Sequence, residues 1–134
     1  MKILVAEDDF ASRNFLQLFL RKYGEVDVAV NGSEALDVFK AALDENAPYK
    51  YVFMDIMMPE KNGLDAAREI REIEREFNVS PADEAVIVMA TALSDVKTVF
   101  EAFNKSEATE YITKPLTVEA LTVKLKEIGL IKDE

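Results

Sequence analysis

Short apolar runs of strand length alternate along the chain with longer segments in which apolar residues recur every three or four positions. The short runs are rich in valine and isoleucine and are continuously apolar, which is typical of strands buried on both faces. Strands are predicted at residues 3–6, 26–30, 51–54, 85–90 and 111–113. The longer segments predict amphipathic helices around residues 15–20, 36–43, 67–77, 96–103 and 118–128.

This alternation predicts an α/β fold with a doubly wound, five-stranded parallel sheet and helices on both faces. A chain of 134 residues is long enough for one domain and short for two, so residues 1–134 are expected to form a single domain. The glutamate-rich stretch at residues 69–76 is interpreted as a solvated helix face, with Arg68 and Glu72 four residues apart. In open parallel sheets, ligands bind beyond the carboxyl ends of the strands. Polar residues that follow the strands are therefore the candidates for function.

The composition narrows the classes of ligand. There are 16 basic and 26 acidic residues, and a net charge of -10 gives no attraction for nucleic acid or anionic membranes, so neither is an expected direct partner. Because the chain has no cysteine and no histidine, a bound metal must have oxygen ligands, which favours Mg²⁺, Ca²⁺ or Mn²⁺. No signal peptide or long apolar span is visible, and a cytoplasmic location is expected.

Side chains capable of chemistry follow four of the predicted strands. They are Glu7, Asp8 and Asp9 after the first strand, Asp55 after the third, Thr91 after the fourth and Lys114 after the fifth. Carboxylates brought together at one sheet edge repel one another unless a cation binds or their pKa values rise. Mg²⁺ fits best, because it binds one or two protein carboxylates together with phosphate oxygens. Lys114 and Thr91 can bind the phosphate oxygens, which leaves Asp55 as a nucleophile.

Each of these residues also has a purely structural explanation. The acids before the first helix can cap it, Asp55 can close a turn, Thr91 is a common strand residue, and Lys114-Pro115 can form an exit turn. Taken singly, the structural explanation is at least as good as the functional one. The coincidence of all four at one sheet edge favours a functional site.

The order of these residues resembles a known family. An acidic pair, the pattern Met-Asp-x-x-Met-Pro-x-x-x-Gly at residues 54–63, Thr91-Ala92 and Tyr111-x-x-Lys114-Pro115 are similar to the receiver domains of two-component response regulators. The resemblance extends over essentially the whole chain. It implies the CheY-like, flavodoxin-like fold with strand order 2-1-3-4-5.

The resemblance also implies roles for the acidic residues. Asp55 would accept a phosphoryl group from a histidine kinase or a histidine phosphotransfer protein. Asp8 and Asp9 would be the acids on the metal side, and Met57 would offer its main-chain carbonyl to Mg²⁺ (or Mn²⁺), which Asp55 also contacts. The rigid end of a strand would hold Asp55 in line with the incoming phosphoryl group.

For the phosphoryl group and the output, the resemblance implies that Thr91 and Lys114 bind the phosphoryl oxygens and that Thr91 and Tyr111 couple as a switch. The Lys114-Pro115 bond would be cis. The switched surface would comprise the fourth helix, the fifth strand and the fifth helix. It would bind an unknown downstream protein, or a second copy in a phosphorylation-dependent homodimer.

On this reading the chain is a signalling switch and not an enzyme, since it would catalyse only its own phosphorylation and dephosphorylation. A phosphorylation-independent binding module and an excised receiver of a hybrid histidine kinase remain as alternatives. An aspartyl-phosphate phosphatase fits less well, because the Asp-x-Asp motif and a cap domain are not found. A flavin carrier also fits less well, because the acidic first loop would repel the flavin phosphate.

Overall fold

The computed structural model describes residues 1–92 and 109–132. In this part of the chain five parallel strands form one sheet in the order 2-1-3-4-5, which confirms the predicted fold. The strands are β1 (Lys2–Ala6), β2 (Glu25–Ala29), β3 (Tyr51–Asp55), β4 (Val86–Ala92) and β5 (Glu110–Lys114). The helices are α1 (Phe10–Leu20), α2 (Gly32–Asp44), α3 (Gly63–Glu76) and a C-terminal helix (Val118–Glu127), with a 3-10 turn at Pro81–Asp83. The helix predicted at residues 96–103 lies outside the described residues.

The two faces of the sheet carry separate apolar layers. One layer joins the sheet to α2 and α3 and includes Leu4, Val52, Met54, Ile87, Met89, Phe39 and Ile70. The other joins it to α1 and the C-terminal helix and includes Ile3, Val5, Phe53, Val88, Leu16, Leu20, Leu121 and Leu125. Successive residues of the central strands point to opposite layers, which is why these strands are apolar without alternation.

Strand ends differ from the predicted ones by one or two residues. β2 runs from Glu25 to Ala29, and β4 continues to Ala92, because backbone pairing extends to polar and small residues that the hydrophobic pattern does not mark. β3 includes Asp55, which pairs with Ala90 of β4. The candidate acceptor is thus part of the regular sheet and not of a flexible loop.

Each of the four α-helices in the described part of the chain begins with a polar side chain that accepts a backbone N–H of its first turn, which is the usual way to satisfy a free helix end. The four capping residues are Asp9, Asn31, Asn62 and Thr117. The connection between β1 and α1 consists of Glu7–Asp9. At its start the Glu7 N–H donates to Ala29 O, and at its end Asp9 caps α1. Within the described ranges every helix is too short or too polar to cross a bilayer.

Candidate functional site

The carboxyl edge of the sheet brings together residues from three strands. Glu7 and Asp8 directly follow β1, Asp55 ends β3, and Lys114 ends β5. Since β1 and β3 are neighbours in the sheet, the residues after Ala6 come next to the end of β3. Lys114 lies two strands away from β3, and its long side chain spans that gap.

Three carboxylates form the centre of the site. Glu7, Asp8 and Asp55 each offer an oxygen within 4.8 Å of the others. Glu7 and Asp55 are buried, with 1% and 7% of their surface exposed, whereas Asp8 is exposed. The cluster is therefore closed on the protein side and open to solvent at Asp8. Carboxylate oxygens are the type of donor that Mg²⁺ and Mn²⁺ prefer.

Lys114 is the positive partner of this cluster. Its Nζ lies 3.1 Å from Glu7 Oε2 and 3.4 Å from Asp55 Oδ2. Glu7 Oε1 accepts the Asp9 N–H at 3.1 Å. Glu7 Oε2 is buried and is in ion-pair range of Lys114, yet within the described part of the chain no group donates to it with hydrogen-bond geometry. A buried carboxylate oxygen left in this way is suited to a further positive ligand.

The protonation equilibria of the site reflect burial and crowding. Burial raises the pKa of Asp55, against the opposing attraction of the Lys114 ammonium. Burial, followed by repulsion from Asp55, raises the pKa of Glu7 to about 7. Burial also disfavours the Lys114 ammonium, but the neighbouring carboxylates outweigh it and raise the pKa of Lys114. One lysine thus compensates for three carboxylates only in part, and a divalent cation would relieve the remaining repulsion.

Asp9 does not join this cluster, which departs from the predicted pair of Asp8 and Asp9. Its Oδ2 accepts the Ser12 N–H at 2.9 Å and caps α1, and this hydrogen bond lowers the pKa of Asp9. The buried acid beside Asp55 is Glu7 instead. Its N–H donates to Ala29 O at 3.0 Å, so its backbone continues the hydrogen-bond pattern of β1 with β2. The sequence carried a signal for this role of Glu7: it is the acid that directly follows the apolar strand, and the residue that caps the next helix, Asp9, comes two positions later.

The loop between β3 and α3 returns tightly to the strand end. Gly63 N donates to Ile56 O at 2.8 Å, and a Cβ on Gly63 would lie 2.2 Å from Asp55 O, so only glycine fits there. Met57, at the start of this loop, is 70% exposed, while Met58 is buried. The Met57 side chain therefore points to solvent. The contact between its main-chain carbonyl and the metal stays a prediction.

Thr91 and Tyr111 occupy different environments. Thr91 is buried on β4, one residue beyond the partner of Asp55, and its hydroxyl donates a long 3.5 Å bond to Ala92 O. Tyr111 is 39% exposed, and the centroid of its ring lies 5.7 Å from Lys124 Nζ. Thr91 thus lies at the same sheet edge as Asp55, and Tyr111 faces outward. The Lys114-Pro115 peptide bond is cis, as the resemblance implied.

Comparison with known proteins agrees with this geometry. A family model for the "Response regulator receiver domain" matches residues 3–126. Hybrid signal transduction histidine kinase I of Dictyostelium discoideum is 34% identical over 121 residues, which cover 90% of this chain and 7% of that protein. The chemotaxis protein CheY homolog of Campylobacter jejuni is 32% identical over 130 residues, which cover 96% of this chain and 92% of that protein.

Among solved structures, the co-crystal structure of the Saccharomyces cerevisiae histidine phosphotransfer protein Ypd1 with the receiver domain of Ssk1 superposes with a TM-score of 0.78. It has 27% sequence identity and covers 99% of this chain and 93% of that chain. The chain spans a small fraction of the kinase named above and nearly all of the CheY homolog. The order of the strands, the acids and the lysine at one edge of the sheet and these matches together show that the chain belongs to the response regulator receiver domain family of two-component signalling.

Proposed function

We propose that the chain is a phosphorylation-controlled switch in which Asp55 is the acceptor. An Asp55 carboxylate oxygen attacks the phosphorus of a phosphohistidine, a new O–P bond forms, the P–N bond breaks, and its electron pair returns to the imidazole. The observation that carries the proposal is the buried Asp55 carboxylate within 4.8 Å of two further acids and 3.4 Å from the Lys114 ammonium. Phosphoryl transfer depends mainly on such positioning and charge neutralisation.

For the metal, we assign Asp8 and Asp55 as the carboxylate ligands, with the Met57 carbonyl as a third protein ligand. The exposure of Asp8 supports this, because Mg²⁺ keeps several of its waters and needs an open side. Glu7 is not assigned as a ligand; it is buried next to Asp55 and adds negative charge to the site. Asp9 caps α1 and is not assigned as a ligand either. Bound Mg²⁺ or Mn²⁺ would neutralise charge on the phosphoryl oxygens during transfer.

Once the phosphoryl group is on Asp55, Lys114 and Thr91 would bind its oxygens. In the unphosphorylated protein Lys114 pairs with the carboxylates of Asp55 and Glu7, so it is already beside the position of the new phosphoryl oxygens. The Thr91 hydroxyl makes a long bond at the upper limit of hydrogen-bond length, so turning it to a phosphoryl oxygen costs little. We expect this turn to bring Tyr111 inward from its exposed position and so change the surface of β5.

The output surface in this proposal comprises β5, the C-terminal helix and the predicted helix at residues 96–103, of which the last lies outside the described residues. Glu110, Tyr111, Val123 and Lys124 line a groove of about 610 Å³ between β5 and the C-terminal helix. Lys124 Nζ lies 2.9 Å from carboxylate oxygens of Glu110 and Glu127, so it joins β5 to the C-terminal helix. A downstream protein, or a second phosphorylated copy, would bind there.

The donor would be a histidine kinase or a histidine phosphotransfer protein, since relatives occur within hybrid kinases and one structural neighbour is bound to a phosphotransfer protein. Phe10 is the first residue of α1 and Met57 lies in the loop after β3; each is 70% exposed and is two residues from an acid of the cluster, Asp8 or Asp55. Exposed apolar side chains at a charged site are suited to contact with a protein partner. The chain would act as one domain, as a switch and not as an enzyme with a separate substrate.

The direct test is phosphorylation with acetyl phosphate, with and without Mg²⁺, followed by intact mass. Wild type is expected to gain the mass of one phosphoryl group only with Mg²⁺, and Asp55→Asn is expected to gain none. Asp44→Asn, which removes one exposed acid at the end of α2, is the matched control and should behave as wild type. Equal labelling of Asp55→Asn and wild type, or no labelling of wild type, would refute the proposal.

A further inference from the structure

α3 carries a buried ion pair at the amino ends of β4 and β5, opposite to the edge that holds Asp55. The side chains of Arg71 and Glu74 are 8% and 2% exposed, and Arg71 Nη1 lies 2.7 Å from Glu74 Oε1. The predicted solvated face at residues 69–76 is therefore wrong for these two residues. Burying two charges costs free energy that their mutual attraction often fails to recover. The other contacts of Arg71 and Glu74 therefore have to account for their burial.

The pair holds the backbone just before β4. Glu74 Oε2 accepts the Ala85 N–H at 2.7 Å, and Arg71 Nη1 donates to the Ala85 carbonyl at 2.9 Å. Both backbone groups of Ala85 are thus bound by side chains of α3. A planar guanidinium can also reach a second acceptor in a fixed direction. Arg71 Nη2 uses this geometry to donate to Thr109 Oγ1 at 3.0 Å.

Thr109 is the residue before β5, and it joins that strand to β4. Its N–H donates to Ile87 O at 3.0 Å, and its Oγ1 accepts the Ile87 N–H at 3.2 Å. With Thr109 held opposite Ile87, the following pairs run from Val88 with Glu110 to Ala92 with Lys114. Arg71, Glu74 and Thr109, which we name the register anchor, thus lie at the start of the ladder that ends at Lys114.

Within the described part of the chain, apolar burial does little to define the register of β5. It is an edge strand of the sheet, and Ile112 is the one buried residue among its five. Register is specified strongly only where a strand buries a full apolar face, and a slip of one residue turns every side chain to the opposite face. Such a slip would turn Lys114 away from Glu7 and Asp55.

We propose that Arg71, Glu74 and Thr109 are positioning residues that set the register of β5 and thereby hold the Lys114 ammonium against Asp55. They act from the far end of a five-residue strand, a distance of roughly 17 Å. The inference rests on the proposed function in one respect, namely that Lys114 binds the phosphoryl group. The placement of Lys114 itself can be measured without phosphorylation.

The test compares Thr109→Val with Thr109→Ser. Valine keeps the branched shape and removes the acceptor for Arg71 and Ile87, whereas serine keeps the hydroxyl and removes a methyl group. In Thr109→Val we expect backbone amides of β5 to exchange at least about tenfold faster, because loss of the hydrogen bond from the charged Arg71 alone has an effect of this size and the bond from the Ile87 N–H is lost as well. We also expect faster trace acetylation of Lys114, with exposed Lys40 as internal reference, and slower phosphorylation by acetyl phosphate. Thr109→Ser should restore all three.

The outcomes separate this inference from the proposed function. If folded Thr109→Val labels Lys114 at the wild-type rate, the register anchor is refuted, even where stability falls. If Lys114 is acetylated faster in Thr109→Val than in wild type, but wild type accepts no phosphoryl group, the register anchor is supported and the proposed function is refuted. Should Thr109→Val fail to fold, Arg71→Lys makes the same comparison, because lysine keeps the charge beside Glu74 and lacks the fork that reaches Thr109.

Discussion

Gly63→Ala is a sharp test of how the β3 strand end is held. The added Cβ would lie 2.2 Å from Asp55 O and 2.9 Å from the Met89 methyl carbon. Ordinary contact needs roughly 1 Å more, and because the first contact is with backbone, the strand end or the start of α3 has to move. Overpacking of this kind costs about 1–3 kcal/mol, whereas Gly→Ala without a clash stabilises by about 0.4–1 kcal/mol. The two effects have opposite signs, and the steric one is larger.

We therefore expect Gly63→Ala to lower the free energy of unfolding in urea by about 2 kcal/mol and the Tm by about 8 °C. A displacement of Asp55 by about 1 Å would also slow its phosphorylation by up to about 100-fold. Gly129→Ala is the control, because no heavy atom lies within 4 Å of its added Cβ, although its φ of +82° disfavours alanine. It should lose about 1 kcal/mol and keep the wild-type rate. A Gly63→Ala protein as stable and as reactive as wild type would refute the reasoning.

Three further predictions concern charge and hydrogen bonding. Asp8→Asn should abolish the rise in Tm caused by Mg²⁺, whereas Asp9→Asn should keep it because asparagine caps a helix as well as aspartate does; loss in both variants would contradict the assignment. Without metal, folded Glu7 has a pKa of about 7 against its usual 4.5, so the folded state binds more protons between these values. Stability should thus fall as pH rises through that window, by at most about 3 kcal/mol, and Glu7→Gln should flatten the dependence in urea melts; a rise with pH would count against it. Tyr49→Phe removes the 2.6 Å bond to Asp27 and should lower stability by about 1 kcal/mol, while an unchanged urea midpoint would show that the bond contributes nothing.

Much of the fold followed from local pattern. Continuous apolar runs predicted β1, β3 and β4 because a strand between two helical layers must be apolar on both faces, and helical periodicity predicted α1, α2 and α3. The ends of β2 and β4 were less accurate, since polar or small residues there are joined to the sheet by backbone hydrogen bonds. The strand order came from the family resemblance and not from periodicity.

The candidate site was predicted in part. Asp55 and Lys114 were expected to meet, and they lie 3.4 Å apart. Among the three acids after β1, the sequence favoured Asp8 and Asp9, whereas the structure places Glu7 inward and gives Asp9 to the cap of α1. Adjacent acids look alike in a sequence, and the backbone direction after the last strand residue decides which of them faces the interior.

Arg71 illustrates the same limit on a helix. Its place in a charged stretch of α3 indicated solvent, but the side chain is buried and donates to Ala85 O and Thr109 Oγ1, just before β4 and β5. By itself, then, the sequence determined which segments become strands and helices, and which chemical groups stand where strands end, because these depend on neighbours along the chain. Only the tertiary structure decided which charges meet and which are buried, because these contacts join residues far apart in sequence and depend on strand order, register and the direction of each side chain.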